Sequence, residues 1–421
     1  MSPRLLYLTS RFPSAPGEAF LTAEVRALTA LGAELHIVPC VRHLGPVPDG
    51  RWSAELGEVH RIDPTAAWAG ALRHPWQSVR MLRMTVPPAM QERTKVAARG
   101  VIRGSLAVAL ATRFAGRIDH VHAHWADTPA TVAMATAGLL GVPWSFTAHR
   151  GDVVMGNDLQ RKVRSASFVH CISERTRELL LARLPGWADD VGATIAVRHL
   201  GVTFPSFADR IGGTPCGTYD GRSLPEHLSG LATGAPELVC PGQLKPVKGH
   251  RYLIEAIAVL RDRGIDGRLV ICGEGDLLRE LQAQTESLGL GDRVEFTGDV
   301  AQTELFRRYR SGRVRCVVLP SIDLGDDEHE GIPVALIEAM AHGIAVVSTR
   351  TGGIPELITD DSVGLLVAPQ DSQALADALA RLLSDPGESA RIGASARTRV
   401  RESWTATRSA EILLDAIKEA A

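Results

Sequence analysis

Two glutamates, a lysine and a group of histidines are the residues of this 421-residue chain best suited to chemistry. Glu330 and Glu338 stand eight positions apart within DLGDDEHEGIPVALIEAMAHGIAVVSTRTGGIPE, residues 323–356. Eight residues of helix rise about 12 Å. The two carboxylates of a glycoside hydrolase sit roughly 5–9.5 Å apart across one bond. Glu330 precedes a helix expected to begin near Gly331-Ile332-Pro333, so the pair points to two separate jobs. Pro333 fits a first helical turn, where its missing N–H costs little, and the free N–H groups of that turn make an anion site. Lys248 sits in the loop Gly242-Gln243-Leu244-Lys245-Pro246-Val247-Lys248-Gly249. A lysine in such a glycine loop is a phosphate partner. Gly273-Glu274-Gly275 alone is a weak nucleotide signal, short of the dinucleotide fingerprint, which speaks against a dehydrogenase. In HVHAHW, residues 120–125, His122 and His124 share one side of a strand. A following strand ends at His149-Arg150-Gly151-Asp152. One such histidine reads as structural, but three at neighbouring strand ends point to a polar site.

The elements that must carry these residues alternate strand and helix twice over. Strands are expected at 4–9, 35–39, 120–125, 144–147, 168–173 and 195–200, with helices at 19–31, through most of 66–116, up to residue 140 and at 174–184. Ser173 is the expected N-cap of the last. The loop 10–18 is placed to line a cleft, because ligands of such sheets bind at the carboxyl ends of strands. Residues 201–236 are rich in Gly and Pro and read as a linker. A second β/α series follows, with strands at 237–241, 268–272, 294–297, 314–320, 344–348 and 364–368. The final helix, 406–419, is long enough to cross back to the first domain. The domains expected are 1–205 with 405–421, a linker at 206–236, and 237–404.

Composition sets bounds. Hydrophobic residues make up 45% and charged residues 22%, ordinary for a soluble globular protein. A net charge of −2 gives no overall field for nucleic acid. No apolar run has the length of a membrane span, and MSPRLLYLTSRF is too short an apolar run for a signal peptide. The six cysteines have no CxxC spacing and read as buried thiols in a reducing cytosol. No metal-ligand cluster is expected; Asp323, Asp326 and Asp327 read as a solvated acidic loop. Residues 73–117 hold nine Lys/Arg against the single acid Glu92. That face suits either a solvated helix or an anionic membrane surface.

The ordered motifs resemble retaining glycosyltransferase family 4. They are Gly242 to Lys248-Gly249, Gly273-Glu274-Gly275, Phe296-Thr297-Gly298-Asp299-Val300, the E-x7-E motif from Glu330-Gly331-Ile332-Pro333 to Glu338, and Gly352-Gly353-Ile354-Pro355-Glu356. SRFPSAPGEAF, HAHW, SFTAHRGD and CISE match more loosely. The resemblance implies the α/β fold called GT-B, two Rossmann-like β/α/β domains facing across a cleft. It implies that Lys248 contacts the donor diphosphate, Glu338 the ribose and Glu330 the donor sugar. The backbone at Gly331 and Ile332 would cradle phosphate, and that near Val300 would read the base. Gly242, Gln243, Gly273 and Glu274 would line the donor site. His124 would lie near the reacting centre, supported by His149. Phe12, Glu18 and Asp152 would be on the acceptor side. Gln243 departs from the arginine usual there, so Lys245 or Arg251 would have to neutralise diphosphate. The implied reaction is metal-independent transfer with retention, with no cofactor beyond the nucleotide sugar. The preferred partners are UDP-N-acetylglucosamine and a small acceptor. The acidic lip 323–330 favours an aminocyclitol such as 2-deoxystreptamine, as in the N-acetylglucosaminyltransferases of aminoglycoside biosynthesis. The alternatives are an exopolysaccharide or lipid-linked acceptor and, more remotely, nucleotide-sugar epimerisation.

Overall fold

The structure is a computed structural model and describes residues 2–12, 19–40, 57–60, 94–156, 158–184, 194–204, 235–325 and 329–421. Glu18, Cys216, Asp326, Asp327, Glu328, the basic residues 73–93 and most of the expected linker lie outside the described residues. The chain forms two compact units, Met1–Gly201 with Ala406–Ala421, and Val202–Thr405.

The first unit is built on β1 (Arg4–Thr9), β2 (Glu34–Pro39), β3 (Glu58–Val59), β4 (His120–His124), β5 (Trp144–Ala148), β6 (Phe168–Cys171) and β7 (Ile195–Val197). They pair in parallel in the order β3-β2-β1-β4-β5-β6-β7. Its helices are α1 (Ala19–Ala30), α2 (Thr94–Phe114), α3 (Thr128–Leu140), α4 (Arg150–Met155), α5 (Leu159–Ser165) and α6 (Glu174–Ala182). A strand covered on both faces needs a continuous apolar run, and Leu5, Leu6, Tyr7 and Leu8 of β1 are all enclosed. Ser173 caps α6 as expected, its Oγ accepting the Thr176 N–H at 3.1 Å.

The second unit repeats the plan with β8 (Glu237–Pro241), β9 (Arg268–Cys272), β10 (Val294–Gly298), β11 (Val314–Leu319), β12 (Ala345–Thr349) and β13 (Leu365–Val367). The order is β10-β9-β8-β11-β12-β13, again all parallel. Around it lie α7 (His250–Asp262), α8 (Leu278–Ser287), α9 (Gln302–Tyr309), α10 (Val334–Ala341), α11 (Ile354–Leu357), α12 (Ser372–Ser384) and α13 (Pro386–Ser403). The last helix, α14 (Ala406–Ala420), returns to the first unit as expected. Its Ser409 Oγ accepts Arg198 Nη1 at 2.7 Å and donates to the His199 carbonyl at 3.0 Å.

Two expectations need correction. Pro333 precedes α10 instead of opening it: ψ is 117°, and its carbonyl takes the Leu336 N–H at 3.0 Å, which makes it the N-cap. The strand expected over 195–200 stops at Val197, because the next side chain, Arg198, is drawn into a buried polar network. Of the basic residues of 73–117 that are described, Arg113 and Arg117 are exposed, as a solvated face requires, and Arg103 is half-buried. Arg103 donates to Thr128 Oγ1 and Arg113 to His60 Nδ1, each at 2.8 Å. Among the described residues no helix is long and apolar enough to cross a membrane. The five described cysteines are free thiols, four of them buried.

Candidate active site

A parallel sheet offers its ligand crevice at the carboxyl ends of the strands where the order reverses. In the second unit that point lies between β8 and β11. The loop after β8 makes one tight turn at Pro246–Lys248 and ends at Gly249, whose φ is 66°. A Cβ there would overlap the Pro320 carbonyl, so only glycine lets the two loops touch. The Ile322 N–H donates to Val247 O at 2.9 Å and fastens them. This brings Lys248 Nζ to 2.5 Å from Glu330 Oε2, both side chains less than one-fifth exposed. Ser321 Oγ also reaches Glu330 Oε2, at 3.5 Å.

Neighbouring loops complete the edge. Gly242 N donates to Cys272 O, and Leu244 N to Glu274 O, each at 2.9 Å, so the Gly242–Gln243 and Gly273–Glu274 segments lie side by side. The Gln243 and Lys245 side chains are exposed. Arg251 lies with its guanidinium 5.5 Å from the Tyr252 ring centre. The segment 329–333 is braced from behind by Gly352, at φ 54°, where a Cβ would strike the Glu330 carbonyl. Gly353 N donates to Gly331 O at 3.2 Å, and His329 Nδ1 bonds the Glu330 carbonyl at 2.8 Å. The first turn of α10 has no side-chain cap, which leaves its N–H groups available to an anion. Ile332 and Val300 are half-buried and packed on the core.

Glu338 stands apart from the lysine. Its Oε1 accepts Gln302 Nε2 at 2.5 Å. Burial pushes its pKa up to about 7, against a smaller lowering by that hydrogen bond. The two glutamates therefore have different partners, Lys248 for Glu330 and Gln302 for Glu338.

The matching point of the first unit lies between β1 and β4. His124, at the end of β4, is enclosed with Glu24 of α1, Tyr7 of β1 and Arg198. Tyr7 Oη donates to Glu24 Oε1 at 2.7 Å. His124 Nδ1 lies 2.7 Å from Tyr7 Oη and 3.3 Å from Glu24 Oε1. His124 Nε2 lies 2.9 Å from His149 Nε2. Tyr7 Oη, its hydrogen given to Glu24, accepts from His124 Nδ1–H, and a single proton lies between the two Nε2 atoms. Arg198 donates to Glu24 Oε2 at 2.7 Å, Thr147 Oγ1 at 2.8 Å and His170 Nδ1 at 3.0 Å. Burial would raise the Glu24 pKa, but Arg198 and His124 hold it well below the usual carboxylate range. Burial, with His124 beside it, pushes His149 well below an ordinary histidine, so its ring is neutral.

Asp152 is not open to an acceptor. Its Oδ1 accepts the His149 N–H at 2.8 Å and its Oδ2 accepts the Ala126 N–H. Both oxygens tie backbone to backbone, and burial raises its pKa to about 7. The Phe12 ring, also expected on the acceptor side, is turned into the interior at 1% exposure. Glu24, Tyr7 and Arg198 were not picked out by the sequence. A signal existed: Glu24 falls on the stripe of Phe20, Leu21, Val25 and Leu28, where α1 should be apolar.

Among the described residues two groups have a metal-like arrangement, Glu24–His122–His124 and His36–Glu58–His60. Neither was foreseen. Each has an arginine as direct partner of one would-be ligand, Arg198 on Glu24 and Arg113 on His60 Nδ1. A guanidinium donating to a histidine or carboxylate disfavours a cation there, since a ligating histidine normally gives its other N–H to an acceptor.

Two Rossmann-like domains with parallel sheets are the architecture of the GT-B glycosyltransferases. The solved structure of HepE from Anabaena, in complex with UDP and glucose, matches over 99% of each chain with a TM-score of 0.67 at 17% identity. Residues 228–399, which contain every donor-side motif named above, match the family described as Glycosyl transferases group 1. Among curated relatives, the GDP-mannose-dependent alpha-(1-6)-phosphatidylinositol monomannoside mannosyltransferase of Mycolicibacterium smegmatis is 32% identical over 248 residues, 58% of this chain and 60% of that protein. The colanic acid biosynthesis glycosyltransferase WcaL of Escherichia coli, itself assigned only putatively, is 38% identical over 180 residues, 42% of this chain and 44% of that protein. The matched segments thus span less than two thirds of either relative.

Proposed function

We propose that this chain is a retaining, metal-independent glycosyltransferase that moves a hexosyl group from a nucleotide diphosphate sugar to a saccharide or lipid-linked acceptor in glycan assembly. The observation that carries the reading is the Lys248–Glu330 pair at the order reversal of the second sheet, next to the uncapped start of α10. Lys248 and the α10 amides would take the charge that develops on the leaving diphosphate. Glu330, released from Lys248 as phosphate replaces it, would face the donor sugar. Glu338 would accept the ribose hydroxyls, and the backbone at Val300 would meet the base. On the acceptor side, the neutral His149 backed by His124 would orient the incoming hydroxyl. The leaving phosphate oxygen would help remove its proton on the same face of the sugar, which gives retention. Lys245 or Arg251 would supply the second cation that Gln243 cannot.

The names of the relatives favour polysaccharide or glycolipid acceptors over an aminocyclitol. The aminocyclitol reading rested on the absence of a strongly hydrophobic anchor and on the acidic lip. In its described part, Asp323 uses Oδ1 to accept its own Gly325 N–H at 2.9 Å, so that carboxylate shapes a turn.

The test is a panel of UDP- and GDP-sugars against three acceptors: a polyprenyl-diphosphate saccharide, a phosphatidylinositol mannoside and 2-deoxystreptamine, with and without chelator. The reading expects transfer to one of the first two, chelator-insensitive, with the donor's anomeric configuration kept by NMR. Transfer to 2-deoxystreptamine alone would restore the aminocyclitol reading. Conversion of donor without acceptor would favour an epimerase.

A further inference from the structure

Trp125 follows His124 and has a φ of 104°, left-handed backbone in an aromatic residue. Such a conformation is costly for any residue with a Cβ and persists only where the surroundings over-determine it. Here they do. The Trp125 N–H donates to Thr147 O at 3.0 Å. The next amide, Ala126, donates to Asp152 Oδ2, and the Ala126 carbonyl accepts Lys162 Nζ at 2.6 Å.

The strained backbone re-aims a side chain. In a regular strand, successive side chains point to opposite faces, so a residue after His124 would turn away from it. Instead the indole lies on the His149 ring, centroids 3.9 Å apart and planes 25° from parallel. Phe20 closes over both imidazoles, 5.7 Å from His124 and 5.8 Å from His149. The indole Nε1 is buried and has no partner among the described residues. A donor that gains no hydrogen bond and a backbone held out of its preferred region are both retained beside the paired histidines.

We propose that Trp125 is a positioning residue whose strained backbone is kept in order to press its indole on His149 and hold that ring on His124. The consequence for transfer rests on the acceptor-side reading of these histidines; the strain and the ring pairing do not.

Three variants test it: Trp125→Gly, Trp125→Ala and Trp125→Phe. Glycine normally melts below alanine at the same site, but at positive φ the order reverses. The Gly variant is therefore expected to melt above the Ala variant. Ring 15N NMR without substrate is expected to show one His149 tautomer in the wild type and the Phe variant, and averaging in the other two. In transfer assays, kcat falls tenfold or more in Gly and Ala with donor KM unchanged, and Phe restores it to within a few-fold. A Gly variant that melts below Ala overturns the strain. One locked His149 tautomer in all four proteins overturns the positioning. Unchanged kcat in Gly and Ala, with the tautomer lost, leaves the ring pairing in place and overturns its role in transfer. If the wild type transfers nothing, it is the acceptor-side reading that fails, and melting and NMR still decide the rest.

Discussion

Both sheets reverse their order at the same place, between β1 and β4 in one and between β8 and β11 in the other, and each gathers charged side chains there. The first unit encloses its set: Arg198 is 0% and Glu24 3% exposed as an ion pair, with His124 and Tyr7 sealed beside them. The second leaves its set half-open, with Lys248 at 19% and Glu330 at 16%. The sealed pair has no route for a ligand to replace a partner, and removing either member strands a charge in a medium that solvates it poorly. The half-open pair can be dissolved by a competing anion. One topology thus yields a sealed ion pair in one domain and a partly solvated one in the other, which is the difference the proposed orienting and phosphate-binding roles require.

Glu24→Gln should break this contrast most forcefully if it is wrong. Loss of the buried counter-charge is expected to cost about 3–5 kcal/mol of stability, whereas Glu330→Gln, at a partly solvated pair, should cost about 1 kcal/mol or less. Chemical denaturation followed by circular dichroism reads both. Equal losses would mean that the two sites are not built differently. Lys248→Ala sharpens the other half. Turnover should fall about 10²–10³-fold, as for removal of a donor to developing negative charge, while stability changes by about 1 kcal/mol or less. Near-normal turnover would move the phosphate site elsewhere.

The two halves were unequally legible in the sequence, for a physical reason. The loops at the order reversal of the second sheet announce themselves because backbone must approach backbone: Gly249 against Pro320 and Gly352 against Glu330 leave no room for a Cβ, and that need writes glycine into fixed positions. The strands were legible because burial on both faces demands continuous apolar runs, as in β1. The sealed network left a fainter mark. Glu24 and Arg198 lie 174 positions apart, and neither stands in a motif; only their polarity at core positions betrays them. The family resemblance put Asp152 on the acceptor side, but its second partner is a backbone amide 26 positions back, which composition cannot show. The φ of Trp125 has no sequence signature at all.

A smaller effect separates the half-open site by pH. Glu338 is raised from 4.5 to about 7 by burial. A carboxyl raised on folding binds more protons folded than unfolded between those values. Its contribution to stability is therefore greatest at low pH and is lost as pH rises toward 7. In the proposed role, ribose binding would run the other way, since the ionised carboxylate is the better acceptor for hydroxyl donors. Donor KM should fall as pH rises through about 7, and Glu338→Gln should flatten that profile. A wild-type profile already flat from pH 6 to 8 would mean that Glu338 is not the titrating ribose ligand.

The smallest expected effect belongs to Gln302, whose amide donates to Glu338. That hydrogen bond favours the charged carboxylate and lowers its pKa against burial. Gln302→Ala removes it at a cost of about 0.5–1.5 kcal/mol, the worth of one such bond. The Glu338 midpoint should then move further up, so donor KM at neutral pH worsens by a few-fold and recovers in mildly alkaline buffer. The same substitution also frees an acceptor lone pair that the ribose would otherwise have to win from Gln302, which lowers KM at every pH. The two contributions differ in their pH dependence, and KM measured at both pH values separates them. Recovery at high pH to below the wild-type KM would show Gln302 to be a competitor for the ribose site. Recovery to the wild-type value alone would show it only tuning the carboxylate. A KM raised equally at both pH values would place Gln302 itself on the donor, and the half-open site would then own one more ligand than its carboxylates and lysine.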